Sequence, residues 1–243
     1  MEEYDENNSN SKRFLTAYNN IDYSIRAKYN MNRSMGFSEL IRKAVALNYV
    51  IRKYEDELID YGRLRNAIIH NNEDFIIAEP HIKVVEKIEK IEKILTTPPN
   101  ALTTVCRRDV LTAESTLTLR EMIKLISSSG YSNIPVYRDK ELIGVANGRK
   151  ILQYLGNELL NKEDANELLD NQIIGDLLEN MNDNLYYEVV PASITVEQAL
   201  KLFQENNKLL VVLVTAKGGT RELPLGILTG SDVITMNKVL ENS

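Results

Sequence analysis

Gly226-Ile-Leu-Thr-Gly-Ser-Asp232 joins a predicted strand to a predicted helix. Leu223–Leu228 is apolar enough for a strand, Thr229-Gly230 reads as a turn, and Val233–Leu240 has helical periodicity. Thr229 and Asp232 then straddle the first helical turn. This arrangement has two readings. A hydroxyl and a carboxylate at a helix start cap its free N–H groups and favour its positive end. The same pair suits a sugar: Asp232 accepts from two vicinal hydroxyls, Thr229 donates or accepts, and a phosphate meets free backbone N–H groups.

An echo of the stretch lies about eighty residues earlier. Leu119, Met122, Ile123 and Ile126 have helical spacing, and each recurs 77 residues on as Val196, Ala199, Leu200 and Phe203. At the same offset the predicted strand Ile134-Pro-Val-Tyr137 recurs as Val211-Val-Leu-Val214. A second strand follows in each copy, Glu141–Ala146 and Leu223–Leu228, with about five extra residues around Thr215–Pro224 in the second hairpin. Gly144 or Gly226 and a final helix close each copy. The order strand–helix–strand–strand–helix thus occurs twice.

Residues 101–242 resemble a tandem pair of CBS domains, the module named after cystathionine β-synthase. The residues that carry the resemblance are Thr116–Ile126, Asn133-Ile-Pro-Val136, Leu142-Ile-Gly-Val145 and, above all, Gly226–Asp232. It implies a pseudo-two-fold α/β unit that dimerises into a disc and binds adenine nucleotides or cyclic dinucleotides in clefts between the copies. By that resemblance Thr229 and Asp232 contact ribose and Ser231 lies beside the phosphates. Adenine would lie between apolar strand residues and bond to backbone near Leu209, Leu210 and Val211. The first copy contributes Ser132, Asn133 and Pro135. Where the second copy has Thr229 and Asp232, however, the first has Asn147 and Lys150. The carboxylate is replaced by a cation, which either favours a phosphate or is merely solvated. One competent nucleotide site is therefore expected, not two.

Ahead of the repeat the pattern is helical. Residues 1–11 are polar and expected to be disordered. Helices are predicted over Ser11–Tyr29, over a long run capped by Ser38 with Leu40, Ala44, Leu47 and Ile51 on one stripe, and over Glu55–Ile69. Asn71-Asn72 supplies a stop. Another helix spans His81–Leu95, its Val84, Ile88, Ile91 and Leu95 interleaved with Glu and Lys. That pattern suits either a bundle helix with a solvated face or a short dimerising coiled coil. Pro98-Pro99 marks a domain boundary. The expected fold is α+β and multidomain: a tail over 1–11, an all-α helical bundle over 12–96, a linker over 97–104, then CBS repeats over 105–160 and 161–243.

Within the helical part, Arg65-Asn-Ala-Ile-Ile-His70 is the candidate for chemistry. An Arg and a His five apart arise by chance about once in a few chains of this length, so the spacing alone is weak. Closing a helix in a small helical domain, with Asn66 after the Arg, it resembles the HEPN domain, a bundle that often dimerises and whose members include metal-independent ribonucleases. Physically, His70 can act as base or acid near neutrality and Arg65 can brace phosphorane oxygens. Asn66 shares the His70 face. Alternatively, Arg65 pairs with Asp60 or Glu57, and His70 merely suits a helix C-terminus.

Composition narrows the remaining classes. A chain of 243 residues holds two modest domains. Its net charge is −6; residues 1–98 carry 15 Lys+Arg against 16 Asp+Glu, so the acidity lies in the remainder. A broad DNA-binding surface is not expected, while an RNA patch stays possible on the first part. No apolar run nears the ~20 residues of a membrane span. The single cysteine, Cys106, excludes an intrachain disulfide and points to the cytoplasm; with two His it cannot build a Cys/His zinc site. The reading is a homodimeric, nucleotide-sensing regulator in which AMP, ADP, ATP or a cyclic dinucleotide, and no metal, controls a HEPN-like ribonuclease through helix 81–95. The alternative is a non-enzymatic adaptor whose helical domain only dimerises or binds a partner.

Overall fold

Residues 9–69, 78–160, 164–181 and 186–242 are described by the computed structural model of the chain. His70 and the Asn71-Asn72 stop lie outside them. Two units emerge: Met1–Pro99 together with Met236–Ser243, and Asn100–Thr235.

In the first unit α1 (Asn10–Tyr29) starts at Ser9, whose side chain accepts from the Lys12 N–H, and stops at Asn30 in the left-handed region. It buries Phe14, Ala17, Tyr18, Ile21 and Ile25. The long helix expected from Ser38 to Ile51 is instead two helices, α2 (Phe37–Ala44) and α3 (Tyr49–Lys53), and Gly36 rather than Ser38 is the cap of the first. Asn48 explains the break. Its Oδ1 accepts from the Ile51 N–H at 3.0 Å and its Nδ2 donates to Tyr29 Oη at 3.0 Å, with the residue buried. A capping Asn held this way starts a new helix, and Leu47, expected inside, is 43% exposed in the gap.

Next come α4 (Glu55–Ile68) and α5 (Ile82–Thr96). The α5 cap is His81, whose ring Nδ1 accepts from the Lys83 N–H. Val85, Ile88, Ile91, Ile94 and Leu95 are buried, while Val84 is only half-buried. Three charged residues of α5, Lys87, Glu89 and Glu92, are tied to other helices of the unit. Arg13 donates to both carboxylate oxygens of Glu89 at 2.8 and 2.7 Å, and Lys87 to Glu57 at 2.7 Å. Phe14 meets Tyr61 edge to face, ring centres 5.7 Å apart. Residues near the carboxy terminus join this unit: Tyr49 Oη donates to Asn237 Oδ1 at 2.9 Å and Lys53 pairs with Glu241.

The second unit runs α6 (Ala101–Thr104), β1 (Ala113–Glu114), α7 (Leu119–Ser129), β2 (Asn133–Arg138), β3 (Glu141–Asn147), α8 (Gly148–Leu160), α9 (Ala165–Asn171), α10 (Ile174–Met181), β4 (Tyr187–Pro191), α11 (Val196–Glu205), β5 (Val211–Thr215) and β6 (Gly226–Thr229), and α12 (Val233–Asn242) follows. Two three-stranded sheets form, ordered β1-β2-β3 and β4-β5-β6, each with one parallel and one antiparallel pairing. The repeat extends to hydrogen bonds. Thr118 and Glu121 make a capping box on α7, and Thr195 and Gln198 make the same box on α11, 77 residues later. The strand expected from Leu223 begins only at Gly226: Pro224 offers no N–H, and Leu223 is 58% exposed.

The copies exchange their leading helices. The Ala101 N–H, at the start of α6, donates to Ile194 of the second copy at 2.9 Å; the Ile174 N–H, at the start of α10, donates to Leu117 of the first at 2.9 Å. Gly226 is where α6 closes down. A Cβ there would lie 2.7 Å from Leu102 Cδ1 and 2.9 Å from Cys106 Cβ. At Gly144, the equivalent position facing Leu178 of α10, a Cβ would meet ordinary contact at 3.5 Å. Tyr137, Leu142 and Val145 of the first sheet pack with Val211, Leu213 and Ile227 of the second and with Tyr186 just before β4, so one core joins the two copies. Burying each of these large side chains stabilises the pair by about 1.5–3 kcal/mol.

Candidate functional site

Antiparallel pairing of β5 with β6 sets Val211 opposite Thr229 at the end of the sheet. Beyond Thr229 the chain turns through Gly230–Asp232 in a 3₁₀ turn and enters α12. Asp232 Oδ2 accepts from the Thr229 N–H at 2.7 Å and from its Oγ1 at 3.0 Å, while Thr229 Oγ1 and Ser231 Oγ are 2.7 Å apart. This carboxylate has no other hydrogen-bond donor among the described residues, so Oδ1 keeps its accepting capacity. From the first copy, α7 ends at Gly130, whose φ of 72° suits a residue without a side chain, and Tyr131, Ser132 and Asn133 lead into β2. Arg107, near the start of the first copy, exchanges two backbone hydrogen bonds with Ile227 at 3.2 and 3.0 Å. Its guanidinium carbon sits 4.0 Å from the centre of the Tyr131 ring.

Between these pieces lies a cavity of about 360 Å³, lined by Arg107, Gly130–Asn133, Leu210 and Thr229–Ser231. That is within the size range of small-molecule sites. Both copies build it. Of the positions singled out from sequence, Thr229, Ser231, Leu210, Ser132 and Asn133 line the cavity. Asp232 is half-buried and bonded to Thr229 but is not itself among the lining residues; Val211 is fully buried in β5 and Pro135 buried in β2 opposite Val145. The N–H groups of Leu209 and Leu210 donate to Asn206 and Tyr186 carbonyls at 3.0 and 2.8 Å. A base beside Leu210 therefore meets acceptors rather than free donors from those two residues. Arg107 and Tyr131 were not legible as site residues, because both lie in connecting segments with no periodicity to place them.

The equivalent place in the first copy is differently occupied. Asn147 Nδ2 donates to Asn133 Oδ1 at 2.7 Å, and its Oδ1 accepts from the Lys150 N–H at 3.0 Å. The Lys150 ammonium lies 3.8 Å from the centre of the Tyr186 ring, and Lys150 also lines a second cavity of about 300 Å³ with Gln153, Tyr154, Asn157 and Met181. Tyr186 is buried and donates to the Val145 carbonyl at 2.7 Å.

Cys106 lies under the second-copy turn. Burial pushes its thiol up to about 12, the Asp232 charge adding to the effect and Arg108 opposing it.

In the helical unit Arg65 is half-buried on α4, and its Nη1 donates to Asn66 Oδ1 at 3.4 Å. The acids named as its alternative partners are otherwise engaged: Asp60 with Arg63 at 2.8 Å and Glu57 with Lys87 at 2.7 Å. Tyr18, pushed up to about 12 mainly by burial, feels the Arg65 charge as a lowering influence. His70 lies outside the described residues, so its distance from Arg65 is not part of this geometry.

Residues 102–157 and 174–237 match the CBS domain family. They are a tandem CBS pair. Solved structures similar to this chain include the CBS domain of a bacterial CNNM/CorC family Mg2+ transporter in complex with ATP, at 23% identity and a TM-score of 0.44, covering 62% of this chain and 96% of that one. CBSX2 in complex with AMP is similar at 21% identity and a TM-score of 0.44, covering 59% and 98%. Hypoxic Response Protein I with two coordinated zinc ions is similar at 19% and 0.41, covering 56% and 97%. Comparison with curated proteins gives no match. Among the described residues of this CBS-pair protein, no cluster of three or more His, Cys, Asp or Glu is placed to hold a metal, and no helix is long and apolar enough to cross a membrane.

Proposed function

We propose that the CBS pair binds one adenine nucleotide in the 360 Å³ cleft and that the protein is a nucleotide-responsive regulator. The observation that carries the reading is the pairing of Thr229 with Asp232 at the rim of a cleft built by both copies. Ribose hydroxyls donate to Asp232 Oδ1 and bond to Thr229 Oγ1, the phosphate lies by Ser231 and the turn N–H groups, and the base runs along Leu210. The first-copy position offers no equivalent, since Asn147 is spent on Asn133 and the cap of α8.

Asp232 also opens α12, whose residues from Met236 onward group with the helical unit. The signal therefore runs along α12, with Tyr49–Asn237 and Lys53–Glu241 at its receiving end. This route stands beside the expected conduit, helix 81–95, whose Glu89 and Lys87 pair with Arg13 and Glu57. A ligand acts this way only through different affinities for two arrangements of the turn. The output assigned to the helical unit is the metal-independent RNA cleavage that its HEPN resemblance implies, using Arg65, Asn66 and His70. What supports it here is that Arg65 is not consumed by Asp60 or Glu57.

Calorimetric titration with AMP, ADP, ATP and cyclic dinucleotides tests the sensor. Binding of one equivalent per chain is expected. Heat of binding from none of them contradicts the reading.

A further inference from the structure

We infer that Arg107 is the residue that selects the charge of the ligand, restricting the cleft to adenosine compounds with an anionic 5′ substituent; this rests on the adenosine reading just given. Three observations converge on Arg107. Its backbone is fixed to β6 by the two hydrogen bonds with Ile227, so the residue sits a set distance from Thr229, two residues further along the same strand. Its side chain is exposed and lines the cavity, and it is the one charged side chain among the residues that do. Its guanidinium carbon lies 4.0 Å from the centre of the Tyr131 ring, and a stacked guanidinium keeps N–H groups to donate.

Everything else around the cavity is neutral: hydroxyls of Tyr131, Ser132, Thr229 and Ser231, the Asn133 amide, Leu210 and two glycines. The nearby charges of Asp232, Arg108 and Asp109 are not part of the lining, and Asp232 Oδ2 accepts from the Thr229 N–H and hydroxyl. A phosphate oxygen in this cavity therefore finds one permanent cation and two serine hydroxyls. A neutral nucleoside leaves the guanidinium without a counter-charge, and a cationic adenosine derivative is repelled by it. Charge-assisted hydrogen bonds are roughly twice as strong as neutral ones, which makes a single arginine sufficient for discrimination.

The test is titration of the full chain with three probes sharing one nucleoside: AMP (anionic), adenosine (neutral) and 5′-amino-5′-deoxyadenosine (cationic). Each is measured with the unmodified protein, Arg107→Met and Arg107→Lys. The expected order is AMP tightest by about tenfold or more over adenosine, with 5′-amino-5′-deoxyadenosine weakest. Arg107→Met brings AMP down to the adenosine level while adenosine binding changes less than about twofold, and Arg107→Lys restores part of the AMP preference. Raising salt weakens AMP and leaves adenosine alone. Equal binding of AMP and adenosine by the unmodified protein overturns the inference but leaves the adenosine site standing. So does equal weakening of both probes in Arg107→Met, which marks Arg107 as a prop for Tyr131. Binding of none of the three overturns the adenosine reading, and the inference with it. Because Arg107 is exposed, unchanged melting of the variants checks that they fold.

Discussion

Thr229 and Asp232 hold one another: the Asp232 Oδ2 accepts from the Thr229 N–H at 2.7 Å and from its hydroxyl at 3.0 Å. The helix cap and the proposed ribose site are therefore one piece of geometry. Capping uses one carboxylate oxygen and leaves the other for a ligand. Asp232→Asn separates the roles, because an amide oxygen still accepts from the Thr229 N–H but carries no charge for two hydroxyl donors. The expected result is a loss of at least about tenfold in nucleotide affinity at a stability cost within about 1 kcal/mol. Asp232→Ala loses both cap and ligand, and chemical denaturation beside calorimetry reads the two effects apart.

Cys106 gives a second, independent test of the same corner. Its thiol is pushed up to about 12, by burial first and the Asp232 charge second. An unfolded thiol titrates near ~8.5. The folded pKa is raised, so the stability linked to it is fully present below the unfolded value and is lost as pH rises from there toward 12. At pH 8 the native thiol is expected to react with a disulfide reagent at least about tenfold more slowly than in denaturant. Asp232→Asn should speed that reaction by removing the second cause. Since Cys106 is the only cysteine in the chain, the labelling rate has a single source.

Gly226 and Gly144 occupy matching places in the repeat and predict different costs. At Gly226 a Cβ would press on the Cys106 Cβ at 2.9 Å, which is close to the backbone and cannot swing away. At Gly144 it would make ordinary contact with Leu178 at 3.5 Å. Gly226→Ala is expected to destabilise by about 1–3 kcal/mol, and Gly144→Ala by clearly less. Urea denaturation of the two variants checks the difference; equal costs would contradict the exchange of α6 onto the second sheet.

How much of this was legible in the sequence follows from which interactions are local. The 77-residue repeat, the two strand–helix units and the turn at Thr229 could be read because their periodicity and turn chemistry are local. The split of the long helix could not be read, since it depends on Asn48 finding Tyr29, nineteen residues away in the chain. Nor could α10, whose role is to cover the other copy. The lining of the cleft was half visible: Thr229, Ser231, Leu210, Ser132 and Asn133 came from the family pattern. Arg107 and Tyr131 meet only through folding, and no spacing rule joins residues in two separate loops. Arg65 with Asn66 was legible, and its freedom from Asp60 and Glu57 was not, because Lys87 comes from a different helix.

For the helical unit the prediction is RNA cleavage in the presence of a chelator, abolished by either Arg65→Ala or His70→Ala. Arg65 is half-buried on α4, so circular dichroism of each variant must match the unmodified protein. Folded variants that cleave at the original rate would remove Arg65 and His70 from the chemistry and leave the regulator with a non-enzymatic output.

The most direct test of the central claim is calorimetric titration of the intact chain with AMP, alone and with Thr229→Val. The account predicts one AMP per chain for the unmodified protein. It also predicts weakening of at least about tenfold when the Thr229 hydroxyl, which touches both Ser231 and Asp232, becomes a methyl group. Two equivalents per chain, or undiminished binding by folded Thr229→Val, would place the nucleotide elsewhere and contradict it.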